Sequence, residues 1–383
     1  MVGRKGGQIG CMKEREDIRS RMFDGMYQDR KVLVTGHTGF KGSWLTAWLH
    51  LLGSRVAGLS LPPPTTPNHY DLIVPAQPSI FGDVRDMAVV ARALREIEPE
   101  IIFHLAAQPS VLESYAYPVD TLATNVLGTA HLLEACRHTP SIRVVVVITT
   151  DKCYENKEWP WGYRENDALG GHDPYSTSKA CVELVAACYR KSFYTPRQSS
   201  DNTPVLVATA RAGNVIGGGD WTADRLIPDA MRASAAAKPV LLRNPSSSRP
   251  WQHVLEPLSG YLLLGERLLA GDAASADAWN FGPTIESNLS VGEVAARLQA
   301  LWPAIQIAVA PAGAKPHEAG LLMLDSAKAC RHLQWRPVWN LDETLAQTVA
   351  WYRAYYERGE VLTVSQIENY VSAAQRLGIP WTR

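Results

Sequence analysis

Residues 31–49 read KVLVTGHTGFKGSWLTAWL. The first six form a short β-rich run that ends in glycine, and the rest is helical in pattern. Between them Gly36, Gly39 and Gly42 make a GxxGxxG turn directly joining strand to helix. Glycines at this spacing allow a tight turn, close backbone approach to a pyrophosphate and close helix–strand packing. The helix start then offers N–H groups and a partial positive charge to an anion. By itself such a turn is also compatible with nothing more than a tight strand–helix connection.

Working outward, the alternation continues. SRVAGLSL reads as a second strand, 86–96 as a helix, EIIFHLAA as a strand and 118–137 as a long helix. RVVVVITT is apolar throughout, as in a parallel sheet covered on both faces. A helix over 174–193 and the strand PVLVATARAGNVIG follow. Strand and helix alternating at this spacing predict a doubly wound α/β fold with a parallel sheet. Beyond residue 216 the chain turns to prolines, tryptophans and short elements, with helices expected near 224–237, 291–301 and 341–357. The expected organisation is a disordered extension over 1–28 and a dinucleotide-binding domain over 29–215, with 250–283 interleaved. A smaller mixed α/β lobe takes 216–249 and 284–383. Met22 and Met26 just before the first strand are alternative starts.

The 383 residues carry 38 Lys+Arg against 38 Asp+Glu, so no field of one sign points to nucleic acid or membrane. No apolar run approaches the roughly 20 residues a spanning helix needs. Among six cysteines there is no CxxC pair and no zinc spacing, so no metal is expected and a reducing cytoplasm fits. Cys181 and Cys188 share an expected helix and read as packed thiols.

Two further stretches carry chemistry. Tyr175 and Lys179 stand four apart at the start of the 174–193 helix and therefore share a face. A nearby ammonium favours the phenolate of a group whose unperturbed pKa is about 10. The pair is a candidate base for hydride chemistry. ITTDKCYEN ends the apolar strand with Thr150, Asp151 and Lys152 side by side. Strand two ends at Ser60 without the usual acid for an adenosine ribose, which leaves NAD against NADP open. Asp83, at the next strand end, is a candidate adenine-side contact.

TGHTGFKG, HLAAQ (104–108), TNVLGT (124–129), Thr150 and YSTSK together resemble the extended short-chain dehydrogenase/reductase superfamily. VTGHTGFKGSWL, TTDKCYENKEWPWGYREND, GGHDPYSTSKACVELV, RAGNVIGGGDWTADRLIPD, RNPSSSRPWQHVLEPLSGY, WNFGP and PHEA resemble more specifically the CDP-glucose 4,6-dehydratases, from about residue 28 to the C-terminus. The resemblance implies NAD held by Gly36, Thr38, Gly39, Phe40, Lys41, Gly42, Asp83, Val84, Leu105, Ala106, Ala107, Gln108, Tyr175 and Lys179. It implies CDP-glucose as substrate, contacted by Asn214, Arg225, Leu226, Arg249, His317 and Glu318. Tyr175, with Thr150 beside it, takes the 4-hydroxyl proton as hydride leaves C4. Water is then lost across C5 and C6, and the hydride returns to C6.

Elimination explains the trio. Asp151 is the candidate acid for the departing 6-hydroxyl, and Lys152 the candidate C5 base or an electrostatic clamp for the enolate. Trp159, Trp161, Trp221 and Trp251 are candidate walls of the sugar pocket, and the 239–244 loop a pyrimidine contact. Leu112 stands where the family carries arginine. A homodimer, or a tetramer, is expected through the 118–137 and 174–193 helices, with Leu127, His131, Val182 and Val185 on their outer faces. Deoxysugars for surface polysaccharides are the expected use.

Overall fold

The computed structural model describes residues 22–73, 77–194, 204–242, 244–309 and 321–383. Seven parallel strands form the central sheet: β1 (Lys31–Thr35), β2 (Arg55–Ser60), β3 (Ser79–Phe81), β4 (Ile101–His104), β5 (Val144–Ile148), β6 (Leu206–Ala212) and, late in the chain, β11 (Ala278–Phe281). Their order is β11-β6-β5-β4-β1-β2-β3. The order reverses between β1 and β4, where Val32 to Thr35 pair with Ile101 to His104. In such sheets the crevice outside the strand ends at the reversal is where ligands sit.

β5 is covered on both faces, which is why it can be continuously β-branched. Val144, Val146 and Ile148 point into one apolar core and Val145 and Val147 into the other. The first core holds α1 (Phe40–Leu51). The second holds α2 (Met87–Ile97), whose Asp86 carboxylate caps the Ala88 N–H at 2.8 Å, in keeping with N-cap preference. Next come α3 (Val111–Ala116) and a helix α4 that runs through Pro118–Leu122, a π turn at Ala123–Leu127 and Gly128–Arg137. α5 (Pro174–Ser192) has proline at its first position, where a missing N–H costs nothing, and Asp173 as its N-cap.

The remaining strands are short. β7 (Val215–Ile216) pairs with β10 (Gln252–His253), β8 (Pro239–Leu242) with β13 (Gln306–Val309), and β9 (Ser248–Pro250) with β12 (Asn288–Ser290). The helices α6 (Leu226–Ala235), α7 (Leu255–Leu269), α8 (Val291–Leu301), α9 (Leu341–Arg358) and α10 (Thr363–Arg376) complete the chain. No helix of the described residues is long and apolar enough to cross a membrane.

Three expectations change. Residues 22–28 are packed, not disordered: Phe23 is buried and stacks on Trp381 with centroids 5.0 Å apart. Tyr27 is also buried and donates to the Leu262 carbonyl at 2.6 Å. Two aromatic side chains in a polar-looking stretch are enough to tie it to α7 and to the C-terminal residues. Residues 1–21 lie outside the described residues. Cys188 is exposed rather than packed, and of the expected outer-face residues Val182 belongs to the second core and Val185 packs against it.

Candidate active site

The glycine turn has the tight geometry its spacing implies. Gly36 has φ +72°, and a Cβ there would lie 2.8 Å from the Ala106 nitrogen. A Cβ on Gly42 would meet the Gly36 carbonyl at 2.1 Å. Only glycine fits these two positions. Gly39 caps α1 without offering a side-chain acceptor, so the helix start has no protein anion of its own there. Thr38 hydrogen-bonds the Ser60 hydroxyl at 2.7 Å and donates to the Leu61 carbonyl at 2.9 Å. The 105–108 loop lies alongside. Leu105 N–H donates to the Thr35 carbonyl at 3.1 Å and Ala106 N–H to the Thr35 hydroxyl at 3.2 Å. Ala107 is half-buried next in that loop.

Gln108 is held by Asn125, whose Oδ1 accepts from the Gln108 N–H at 2.8 Å. Asn125 also donates to the Ser178 hydroxyl on α5 at 2.8 Å. It sits in the π turn of α4, a helix irregularity frequent at functional sites. The sequence reading did not single it out as a site residue. The available signal was an asparagine inside a helix and far from a cap, a place where it is a poor helix former.

Asp83 is engaged by the Arg85 guanidinium at 2.9 and 2.7 Å, which holds its carboxyl below the usual range. Val84 is buried and packs against Gly128 and the second core.

At the C-terminal end of β5 a short turn, Asp151–Cys153, carries the acid and amine. Thr150, Asp151, Tyr175 and Lys179 are all buried, and Lys152 is half-buried. The Thr150 hydroxyl donates to Asp151 Oδ1 at 2.8 Å. The same hydroxyl favours the ionised form of the Tyr175 phenol. One hydroxyl thus influences both candidate proton-transfer groups. Burial raises the Asp151 carboxyl; Lys152, the Thr150 hydrogen bond, Lys41 and Arg249 oppose the shift. A raised carboxyl favours the protonated form that an acid must start from.

Tyr175 departs from expectation. Burial pushes its phenol up to about 12, with the Thr150 hydrogen bond and the Arg225 charge working the other way. The Lys179 ammonium donates to the Ile148 carbonyl at 3.3 Å. Burial lowers it to about 8, while Glu183 and Cys153 support its charge. Asp173 fixes the first turn of α5 by accepting from the Ser176 N–H at 2.9 Å and its hydroxyl at 2.6 Å.

Lys41 stands at the glycine turn, and its ammonium extends toward Tyr261. It lies 3.5 Å from the Tyr261 hydroxyl and above that ring, 5.9 Å from the centroid. Burial lowers it to about 8, and the charges acting on it are those of Lys179, Asp151 and Arg225. A glycine motif fixes where the backbone goes but not where the following side chain points, so the sequence reading had it only as a cofactor contact.

The substrate-side residues divide. Arg249 is buried beside Asp151, and Arg225 acts on both Tyr175 and Lys41. Arg225 pairs with Asp220 at 3.1 Å and precedes Leu226, the first residue of α6. Asn214 follows Gly213, where a Cβ would come within 2.9 Å of Asp151 Oδ2 and 3.2 Å of Pro250 Cγ. His317, Glu318 and Arg243 lie outside the described residues. The expected 239–244 loop is strand β8 over Pro239–Leu242, paired with β13. Trp221 and Trp251 belong to the apolar core. Trp159 stacks on Tyr163, which stacks on Tyr154; Trp161 lies against Trp159 and is exposed. A cavity of about 450 Å³ opens among Trp161, Arg164, Pro250, Ile285, Asn288 and Met323. It shares Pro250 with the wall beside Asp151.

Residues 33–348 match the sequence profile of the family described as GDP-mannose 4,6 dehydratase. The chain is 46% identical to a CDP-glucose 4,6-dehydratase of Salmonella typhimurium, covering 91% of this chain and 98% of that one. Among solved structures it is similar to a dTDP-glucose 4,6-dehydratase of Streptomyces venezuelae with NAD bound, at TM-score 0.68 and 25% identity, covering 84% of this chain and 96% of that one. It is also similar to the UDP-glucose 4-epimerase of Thermus thermophilus in complex with NAD, at TM-score 0.69 and 26% identity, with 84% and 98% coverage.

Proposed function

This chain belongs to the GDP-mannose 4,6 dehydratase family, and from that membership we propose that it converts CDP-D-glucose to CDP-4-dehydro-6-deoxy-D-glucose and water. The coarser assignment, an enzyme of nucleotide-sugar 4,6-dehydration and so a hydro-lyase, rests on the family itself. The observation that carries the finer reading is the 46% identity to a CDP-glucose 4,6-dehydratase over 91% of the chain; the dehydration chemistry is supported by Asp151, buried and accepting from the Thr150 hydroxyl beside Tyr175. A simple dehydrogenase needs the tyrosine alone; a dehydratase needs an acid within reach of the same sugar.

The cofactor is NAD, which related dehydratase and epimerase structures carry. The residues fit it. Gly36 and Gly42 let the turn fold tightly where a Cβ would clash with backbone, and the uncapped start of α1 suits a diphosphate. When bound, NAD supplies a hydride acceptor and a positive charge. Tyr175 receives the 4-hydroxyl proton, and an adjacent cation is what its raised phenol requires to act as base near neutrality. Lys179 orients the ribose end of the cofactor. The 4-keto group then acidifies C5–H. Lys152 takes that proton, and Asp151 protonates the departing 6-hydroxyl. Arg225, Arg249 and Asn214 bind the diphosphate-linked sugar, with cationic guanidinium groups suited to phosphate.

One observation favours another nucleotide-linked hexose as substrate: Leu112, at the position where an arginine was expected, is exposed on α3. A 4-epimerase would leave Asp151 and Lys152 without a task, and a non-catalytic carrier would not need Tyr175 and Lys179 buried together. The chain is read as a homodimer through α4 and α5. Leu127 and Leu184 are exposed there, with Tyr117, Val119 and Leu122 beside them, in place of the Val182 and Val185 first expected. A sedimentation mass of one chain contradicts that pairing.

The deciding assay incubates the purified protein with CDP-, dTDP-, UDP- and GDP-linked glucose or mannose and analyses the products by mass spectrometry. Loss of one water from CDP-glucose, faster than from the others, is expected. Conversion of another nucleotide sugar in preference, or of none, contradicts the substrate assignment.

A further inference from the structure

The turn that carries Asp151 and Lys152 is pinned at both ends to one buried ion pair. On the near side, the Thr149 hydroxyl donates to Glu183 Oε1. On the far side, the Tyr154 hydroxyl accepts from Arg211 Nη1 at 2.6 Å and donates to Asn280 Oδ1 at 2.8 Å. Glu183 and Arg211 close the ring at 2.9 Å, and the Thr209 hydroxyl donates to Glu183 at 2.6 Å. All six residues are buried. The Arg211 guanidinium also faces the Tyr154 ring, 4.9 Å from its centroid.

A buried ion pair is a poor way to stabilise a fold, because desolvation offsets much of the attraction. Its value is in fixing geometry. Glu183 continues the face of α5 that bears Tyr175 and Lys179, each one helical turn apart. The hydride-side residues ride on a nineteen-residue helix with its own cap. The elimination residues ride on a turn of three residues and need external fixing. We propose that Glu183, Arg211 and Tyr154 act as positioning residues for the elimination half of the reaction: they hold the Asp151–Lys152 turn in register with Tyr175 and Lys179 without touching substrate. Asn280 on β11 anchors the same ring in the sheet. The proposal rests on the reading of Asp151 and Lys152 as the acid and base of dehydration.

Tyr154→Phe tests it, since it keeps the ring and removes only the hydroxyl; Thr149→Val tests the other end. Each is compared with the wild-type holoenzyme and CDP-glucose in heavy water, with melting temperature measured alongside. Formation of reduced cofactor in a single turnover is expected to stay within about twofold, while C5 deuterium exchange and dehydration fall about 10- to 100-fold. Parallel losses in both steps, or no loss in either, overturn the clamp. A wild type that exchanges no C5 hydrogen overturns the substrate reading and the clamp with it. A wild type that works while both variants lose both steps equally overturns the clamp alone.

Discussion

At the scale of single residues the site is decided by burial working against charge. Asp151 is raised by burial, and the three cations around it, Lys152, Lys41 and Arg249, pull its carboxyl back down. Removing one of them must therefore move the carboxyl up. Lys41→Met is expected to shift the alkaline limb of the dehydration rate to higher pH, because an acid that holds its proton longer keeps working longer. A pH–rate profile of the variant against wild type checks this; an unchanged limb contradicts a role for Lys41 at the reaction centre. Lys152→Ala is expected to keep slow formation of reduced cofactor but to lose solvent-deuterium exchange at C5, read by mass spectrometry. Full exchange in that variant rules out the base role. Much of this residue-level picture was legible: Thr150, Asp151, Tyr175 and Lys179 lie together as the motifs implied. The direction of Lys41 was not, and neither was the partner of Asp83, because sequence proximity says nothing about which way a long side chain leans.

At the scale of elements, α5 joins stability to chemistry through its first turn. Asp173 caps the helix and also raises the Tyr175 phenol by its charge. Asp173→Ala should cost about 1 kcal/mol of stability, the usual worth of an N-cap, and should slow the reaction by loosening the turn that carries Tyr175. Asp173→Asn keeps the cap and removes the charge, so it should retain the melting temperature while the tyrosine ionises at lower pH. Thermal melts and pH–rate profiles of the two variants separate the effects. The strands and amphipathic helices of the sheet domain were readable because their patterns repeat at periods of two or 3.6 residues. α7 was not: Leu255–Leu269 is buried almost all round, so its sequence has no polar face to set a period. Residues 22–28 escaped for the opposite reason, since two buried aromatics, Phe23 and Tyr27, are too few to make a pattern.

At the scale of the molecule, the late segments are tied to the sheet domain by buried polar groups. The Glu256 carboxylate at the start of α7 accepts from the Val338 and Trp339 N–H groups at 2.9 and 2.8 Å and from the Tyr370 hydroxyl at 2.7 Å. Burial raises it to about 7 from a usual value of 4.5. The folded protein therefore holds a proton that the unfolded chain releases near pH 4.5. Stability from this group is full below that pH and is lost as pH rises through about 7, a swing of roughly 3 kcal/mol. Glu256→Gln should flatten that decline in a pH series of thermal melts, and an unchanged slope contradicts the assignment. The central claim is that one molecule of sugar gives up hydride at C4 and takes it back at C6 within a single closed site. The most direct test uses CDP-glucose deuterated at C4 in ordinary water. The account predicts a 4-keto-6-deoxy product with the deuterium carried intact to its C6 methyl group. A product that has lost the label, or one that keeps it at C4, contradicts the account.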